Sequence, residues 1–169
     1  MVRRYRRQTR YPRRVKAVKY SNETATCYFS VPTEVASGTN YSRTIIAATD
    51  TQGMRKVKNF TLNTSFAQII DVSSPPVNIL WALVYVPGGT SVSQIAPPTG
   101  ETVLSLYEPN QNVIMSGLLT PNQPPQVIRS RLARNLNSDD SIVLVICPDR
   151  DVGTLASDIT CSLNYAITY

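Results

Sequence analysis

The chain is 169 residues long with a formal net charge of +6, 42% apolar residues, no histidine and three cysteines. Its longest apolar run, residues 79–86, falls far short of the ~20 residues of a membrane-spanning helix, so no membrane insertion is expected. The lack of histidine removes Ser-His-Asp and Cys-His nucleophile arrangements, imidazole metal sites and the ordinary neutral-pH proton shuttle; no catalytic residue, cofactor or metal ligand is expected.

The positive charge is concentrated at the start. Residues 1–20, MVRRYRRQTRYPRRVKAVKY, hold nine cations and no acid, while the remaining 149 hold eight cations and eleven acids, so an arm of +9 precedes a body of −3. Charge gathered into one terminal run reads as an interaction tail for a polyanion, with nucleic acid the leading partner. Arg3, Arg4, Arg6, Arg7, Arg10, Arg13 and Arg14 can grip phosphate through paired N–H donors or lie flat on a base, and Lys16 and Lys19 add point charge. Tyr5, Tyr11 and Tyr20 are interleaved with them, and a ring beside a cation suits the unstacked bases of a single strand.

Three plainer readings compete for the arm: a nuclear import signal, which can share the same residues, a solvated disordered tail, and attraction to an anionic membrane surface. Against the membrane, the arm has no apolar face and Pro12 interrupts any continuous helix. Nor does an apolar stretch follow the charged start, as a secretory signal requires.

Past the arm, short apolar runs alternate with clusters of Pro, Gly, Asn, Ser and Thr, the pattern of strands joined by turns. Residues 24–31 alternate strictly, with Ala25, Cys27, Phe29 and Val31 on one face and Thr24, Thr26, Tyr28 and Ser30 on the other. Strands follow over 43–48 and 56–62. Arg43, Arg55, Lys56 and Lys58 precede or begin them and extend the basic surface toward nucleic acid, with Lys56 and Lys58 on one side; ordinary edge-strand charge is the alternative. Residues 65–70 and 91–96 suit single helical turns.

Residues 77–86 and 142–147 are apolar on both faces, so they belong at the centre of a sheet or beneath a partner, with Trp81 anchoring the core. Gly88 and Gly89 mark a turn, lacking the lysine and spacing of a phosphate loop. Further strands are expected over 103–107, 113–118 and 126–132. Arg129, Arg131 and Arg134 read as a subunit-interface or pore-lining ladder, because Arg129 and Arg131 would share a strand face near Asp139 and Asp140. Those acids, like Asp149 and Asp151, sit in turn-like stretches, where carboxylates are ordinarily solvated; calcium ligation at a subunit contact is the lesser alternative. The final strand, 158–168, places Ile159, Cys161, Leu163, Tyr165 and Ile167 on one side.

About nine β segments, prolines falling between them and no internal repeat describe one all-β domain, with a two-sheet sandwich as the natural way to bury it. Cys27, Cys147 and Cys161 are widely separated without CxxC spacing, which makes neither a disulfide framework nor a zinc site and fits a reducing compartment. The tripeptides starting at Asn22, Asn40, Asn59 and Asn63 match the glycosylation acceptor pattern and read as polar strand ends and turns.

With these features placed, LYEPNQNVIMSGLLTPNQPPQVIRSRLARNLNSDDSIVLVI resembles the C-terminal half of capsid proteins of circular, Rep-encoding single-stranded DNA viruses, the circovirus-like group. The arginine-rich start also matches, and RKVKNF at 55–60 is similar to the family's early strand region. The resemblance implies an N-terminal basic arm, residues 1–20, ahead of a single eight-stranded jelly roll of the viral capsid type, residues 21–169. It also implies self-assembly into an icosahedral shell of the smallest class around single-stranded DNA, with the host nucleus and its import receptors involved before the virion forms. Two other classes stand beside it: a cellular nucleic-acid-binding β-barrel protein with a basic tail, and a β-sandwich ligand-binding module whose tail is only an address.

Overall fold

The computed structural model describes residues 19–50, 53–68, 76–92, 94–96, 112–153 and 157–168. Among these the chain forms nine strands and no helix: β1 Ser21–Val31, β2 Tyr41–Ile46, β3 Arg55–Gln68, β4 Ile79–Val86, β5 Asn112–Leu119, β6 Gln126–Ser130, β7 Arg134–Leu136, β8 Ser141–Pro148 and β9 Ser157–Ile167. Most of the arm and the strand expected over 103–107 lie outside the described residues. The stretch beginning at Ser65, expected as a helical turn, instead continues β3 as far as Gln68, because Phe66 and Gln68 keep the period-two burial of Leu62 and Thr64. The described part of 91–96 forms no helical turn either.

The strands pair antiparallel in two sheets, one ordered β1-β9-β3-β6 with β7 also on β3, the other β2-β8-β4-β5. β6 pairs with Phe60–Thr64 and β7 with Arg55–Val57, so the two are halves of one strand interrupted at residues 131–133. Counted that way there are eight strands. Successive strands change sheet at every connection but β4–β5, and the last strand returns beside the first, which is the double Greek key of a jelly roll.

Alternation explains which sheet face closes on which. Phe29, Phe60, Leu62, Ile159 and Leu163 from the five-stranded sheet meet Trp81, Leu83, Ile142, Leu144 and Ile146 from the four-stranded sheet in one buried cluster. β4 and β8 are central in their sheet, as two-faced apolar strands require. Their outer faces form a second cluster, Ala82, Val84, Val86, Val143, Val145 and Cys147, against which Ile95 and Val92 of the β4–β5 connection pack.

The break between β6 and β7 has a local cause in β3. Lys58 pairs with Ala166 and Thr61 with Asn164, so Asn59 and Phe60 together oppose Tyr165, and Asn59 adopts φ 57°. This is a β-bulge, and it shifts the phase of the strand. Val57 and Phe60, three apart, both reach the core, while Lys56 and Lys58 on one side of the bulge and Thr61 and Asn63 on the other face outward.

Asp140 departs from the expectation of a solvated loop acid: it is 4% exposed. Its oxygens accept hydrogen bonds from Tyr85 Oη at 2.6 Å, Gly88 N at 2.9 Å and Asn137 N at 2.7 Å, which ties the end of β4 to the β7–β8 turn. Burial pushes its carboxyl up, but these hydrogen bonds outweigh burial and hold it below the ordinary value. Burial, and then the bond to Asp140, push the Tyr85 phenol up to about 12.

Candidate nucleic-acid interface

The outward face of the five-stranded sheet is hydroxyl- and amide-rich. β1 contributes Thr24, Thr26 and Ser30, β9 Thr160, Ser162 and Asn164, and β3 Thr61, Asn63 and Ser65. Its cations gather at one end. Asn22, Ala166 and Lys58 stand in one row across β1, β9 and β3. From the chain just before that row, Tyr20 places its ring 3.7 Å from Lys58 Nζ, a contact of cation–π type. Lys56 lies two residues further along the same face, and Lys19 is exposed beside Tyr20. The arm therefore enters the body on the face, and at the end, where the outward lysines sit.

Arg129 is exposed on β6 opposite Thr61, on this same outer face. Arg131 does not continue a strand face with it, because the bulge ends β6 at Ser130; it is exposed in the break, level with Lys58 and Asn59. Arg134 pairs with inward Val57 and turns to the inner side, half-buried and close enough to Tyr85 to act on its ionisation. Among the described residues none of the three forms an ion pair with Asp139 or Asp140; the ion pair seen is Arg150 with Asp149, at 3.4 Å. The three thus do not form one ladder.

Two further expected contacts are placed elsewhere. The Arg55 guanidinium donates to the carbonyls of Ala47 at 3.2 Å and Asp140 at 3.5 Å, fastening two connections together. Arg43 lies on β2, in the other sheet, with its guanidinium 5.6 Å from the Phe29 ring centre across the mouth between the two edge strands β1 and β2. Arg3, Arg4, Arg6, Arg7, Arg10, Arg13, Arg14, Lys16, Tyr5 and Tyr11 lie outside the described residues.

The strands of this face carry one outward carboxylate among the described residues, Asp158 at the far end of β9, and its oxygen accepts from Tyr28 Oη. Eight residues of β9, about 27 Å of extended chain, separate it from the row that holds Lys58. Tyr20 was not legible as the residue linking arm and sheet; its interleaving with basic residues was the available signal, and its contact with Lys58 depends on pairing through β9.

No protein-family model matches the chain, and no characterised protein matches it by sequence. Among solved structures, that of infectious bursal disease virus, Gx strain, superposes with a TM-score of 0.41 at 12% identity, over 89% of this chain and 32% of that one. This chain therefore spans about a third of that structure's chain, and a likeness this distant carries no inference about role.

Proposed function

We propose that this chain is the coat subunit of a small virus with a single-stranded DNA genome: its jelly-roll body associates with copies of itself into a closed shell, and its arm holds the genome. The observation that carries the reading is the Tyr20–Lys58 contact, which joins an arm of +9 to the cationic end of one sheet face. Many copies with that face turned inward would line a lumen with charge, while bodies of −3 limit nonspecific binding outside. About sixty copies would bring roughly 540 arm charges to the lumen, enough to offset a substantial part of a small genome without an enzyme. The preference for DNA over RNA rests on the sequence resemblance alone. An import receptor recognising the same basic run fits assembly in a host nucleus.

The test is expression of the whole chain, negative-stain electron microscopy of the purified product, and its ultraviolet absorbance ratio before and after nuclease. Uniform spheres with nuclease-protected nucleic acid are expected. Monodisperse monomers at high concentration with nucleic acid present would overturn the reading. A nuclease-sensitive complex without particles would favour the cellular binding protein, for which the 53% exposed Tyr28 on the same face is the available stacking platform.

A further inference from the structure

Cys27 on β1 and Cys161 on β9 are direct cross-strand partners. Both side chains point to the inner face of the five-stranded sheet, in the alternation that buries Phe29, Ile159 and Leu163. Directly opposed residues of an antiparallel pair hold their Cα atoms about 4.5–5.5 Å apart, inside the ~4.4–6.8 Å that a disulfide spans. Both are free thiols, Cys27 half-buried on the edge strand and Cys161 buried behind it.

We propose that Cys27 and Cys161 are a thiol-modification site that closes reversibly into a disulfide, locking β1 and the root of the arm onto β9, with a small disulfide such as oxidised glutathione as the oxidant. The two thiols are not equivalent. The neighbouring Cys161 thiol holds Cys27 below its ordinary value; burial works against this, and the Arg43 guanidinium adds to the lowering. The Cys27 neighbour, and then burial, push Cys161 up. Cys27 is thus both the more accessible sulfur and the first to ionise, the two properties that make a thiol the attacking group. Arg43, set apart from the other basic residues at the mouth between β1 and β2, supplies the positive neighbour.

The exchange balances in two steps. Cys27 loses its proton to solvent, and its thiolate attacks one sulfur of oxidised glutathione; a Cys27–glutathione bond forms and a glutathione thiolate leaves. Cys161 then gives up its proton, and its sulfur attacks the Cys27 sulfur opposite it and expels the second glutathione thiolate, which takes up a proton as the first did. Two protein thiols are oxidised and one glutathione disulfide is reduced to two glutathiones. The consequence is mechanical: β1 is an edge strand whose sheet hydrogen bonds go to β9 alone, so a bond at its seventh residue stops it peeling from the sheet. Cys147, on β8 in the other sheet with its side chain in the outer cluster, has no part in this.

To test it, the full-length protein is incubated with excess oxidised glutathione at neutral pH without denaturant, the remaining thiols are alkylated, and the intact chain and its peptides are weighed by mass spectrometry. The expected product has lost two hydrogen atoms, joins the Cys27 peptide to the Cys161 peptide, leaves Cys147 alkylated, and melts higher than the reduced form until dithiothreitol restores it. Cys147→Ser should keep the cross-link and the melting shift; Cys27→Ser should lose both. Three alkylated thiols after oxidation, or glutathione retained on Cys27 with no cross-link, would overturn the proposal, and both are read on the natural sequence even if a variant fails to fold.

Discussion

Gly117 on β5 faces Trp81 on β4 across the strand pair so closely that a Cβ added at residue 117 would stand 2.9 Å from Cζ2 and Nε1 of the indole. Gly117 lacks a left-handed φ, so the contact alone decides the effect of a side chain there. The ring is 1% exposed and locked in the main core cluster, leaving it no direction in which to give. Gly117→Ala should therefore destabilise by about 1–3 kcal/mol through overpacking, outweighing the smaller gain from a stiffer unfolded chain. Urea unfolding followed by the fluorescence of this single tryptophan measures it. A variant as stable as the parent would mean that the ring moves aside.

The Asp140 cluster makes stability depend on acid. Its carboxyl is held below the ordinary value of 3.8 in the fold, so its contribution is fully present above that value and is lost as pH falls through the lower folded value. Asp140→Asn should cost about 1–3 kcal/mol at neutral pH, because the part-buried hydrogen bonds from Tyr85, Gly88 and Asn137 lose a charged acceptor. The same variant should flatten the acid limb of a melting-temperature profile. An unchanged profile would place the acid sensitivity in other carboxylates.

The Tyr85 phenol gives the opposite limb. Its folded value of about 12 lies above the ordinary 10.0, so its contribution holds below 10.0 and disappears as pH rises toward 12. Tyr85→Phe should weaken the alkaline loss of stability, as read by the same melting profile carried into the alkaline range.

If the cationic end of the sheet takes part in binding, removing Lys56 and Lys58 together must alter the salt dependence of affinity for single-stranded DNA. With the arm intact, the log–log slope should become shallower by about 1.4, from an upper limit near about −7.7 for the nine arm cations together with these two lysines. Arg43→Ala should leave that slope unchanged, since Arg43 lies on the other sheet over Phe29. Filter binding over a salt series separates the two. Equal effects from both variants would show that overall charge governs the affinity and the face does not.

Asn59 carries the bulge that splits the partner strand. Its φ of 57° is a conformation that asparagine and glycine reach readily and β-branched residues do not. Asn59→Gly should fold with nearly unchanged stability and Asn59→Val should lose about 1–2 kcal/mol or more, as read by thermal denaturation.

Much of the fold was legible because local alternation reports burial directly. β1 and β9 showed their inward faces residue by residue, and the two-faced apolar runs of β4 and β8 announced central strands. The spacing of Val57 and Phe60 also held the phase shift, but only the register against Ala166 and Asn164 shows that it is a bulge and that it divides β6 from β7. The ladder expected of Arg129, Arg131 and Arg134 did not form because β6 ends at Ser130, which leaves Arg131 in the break, while Arg134, five residues from Arg129, falls on the opposite face by ordinary alternation.

What the sequence by itself determined is the distribution of charge and the strand content: a +9 run over residues 1–20, an all-β remainder and the absence of histidine follow from composition and period, which are properties of neighbours along the chain. What only the tertiary structure decided is which distant residues meet. Tyr20 reaches Lys58 through a row that runs across β9, Cys27 meets Cys161 from 134 positions away, and Asp140 in the β7–β8 turn finds Tyr85 on β4. The physical reason is that sheet pairing joins residues by register and strand order, which depend on how all the strands bury their apolar faces together, and no local window of sequence contains that sum.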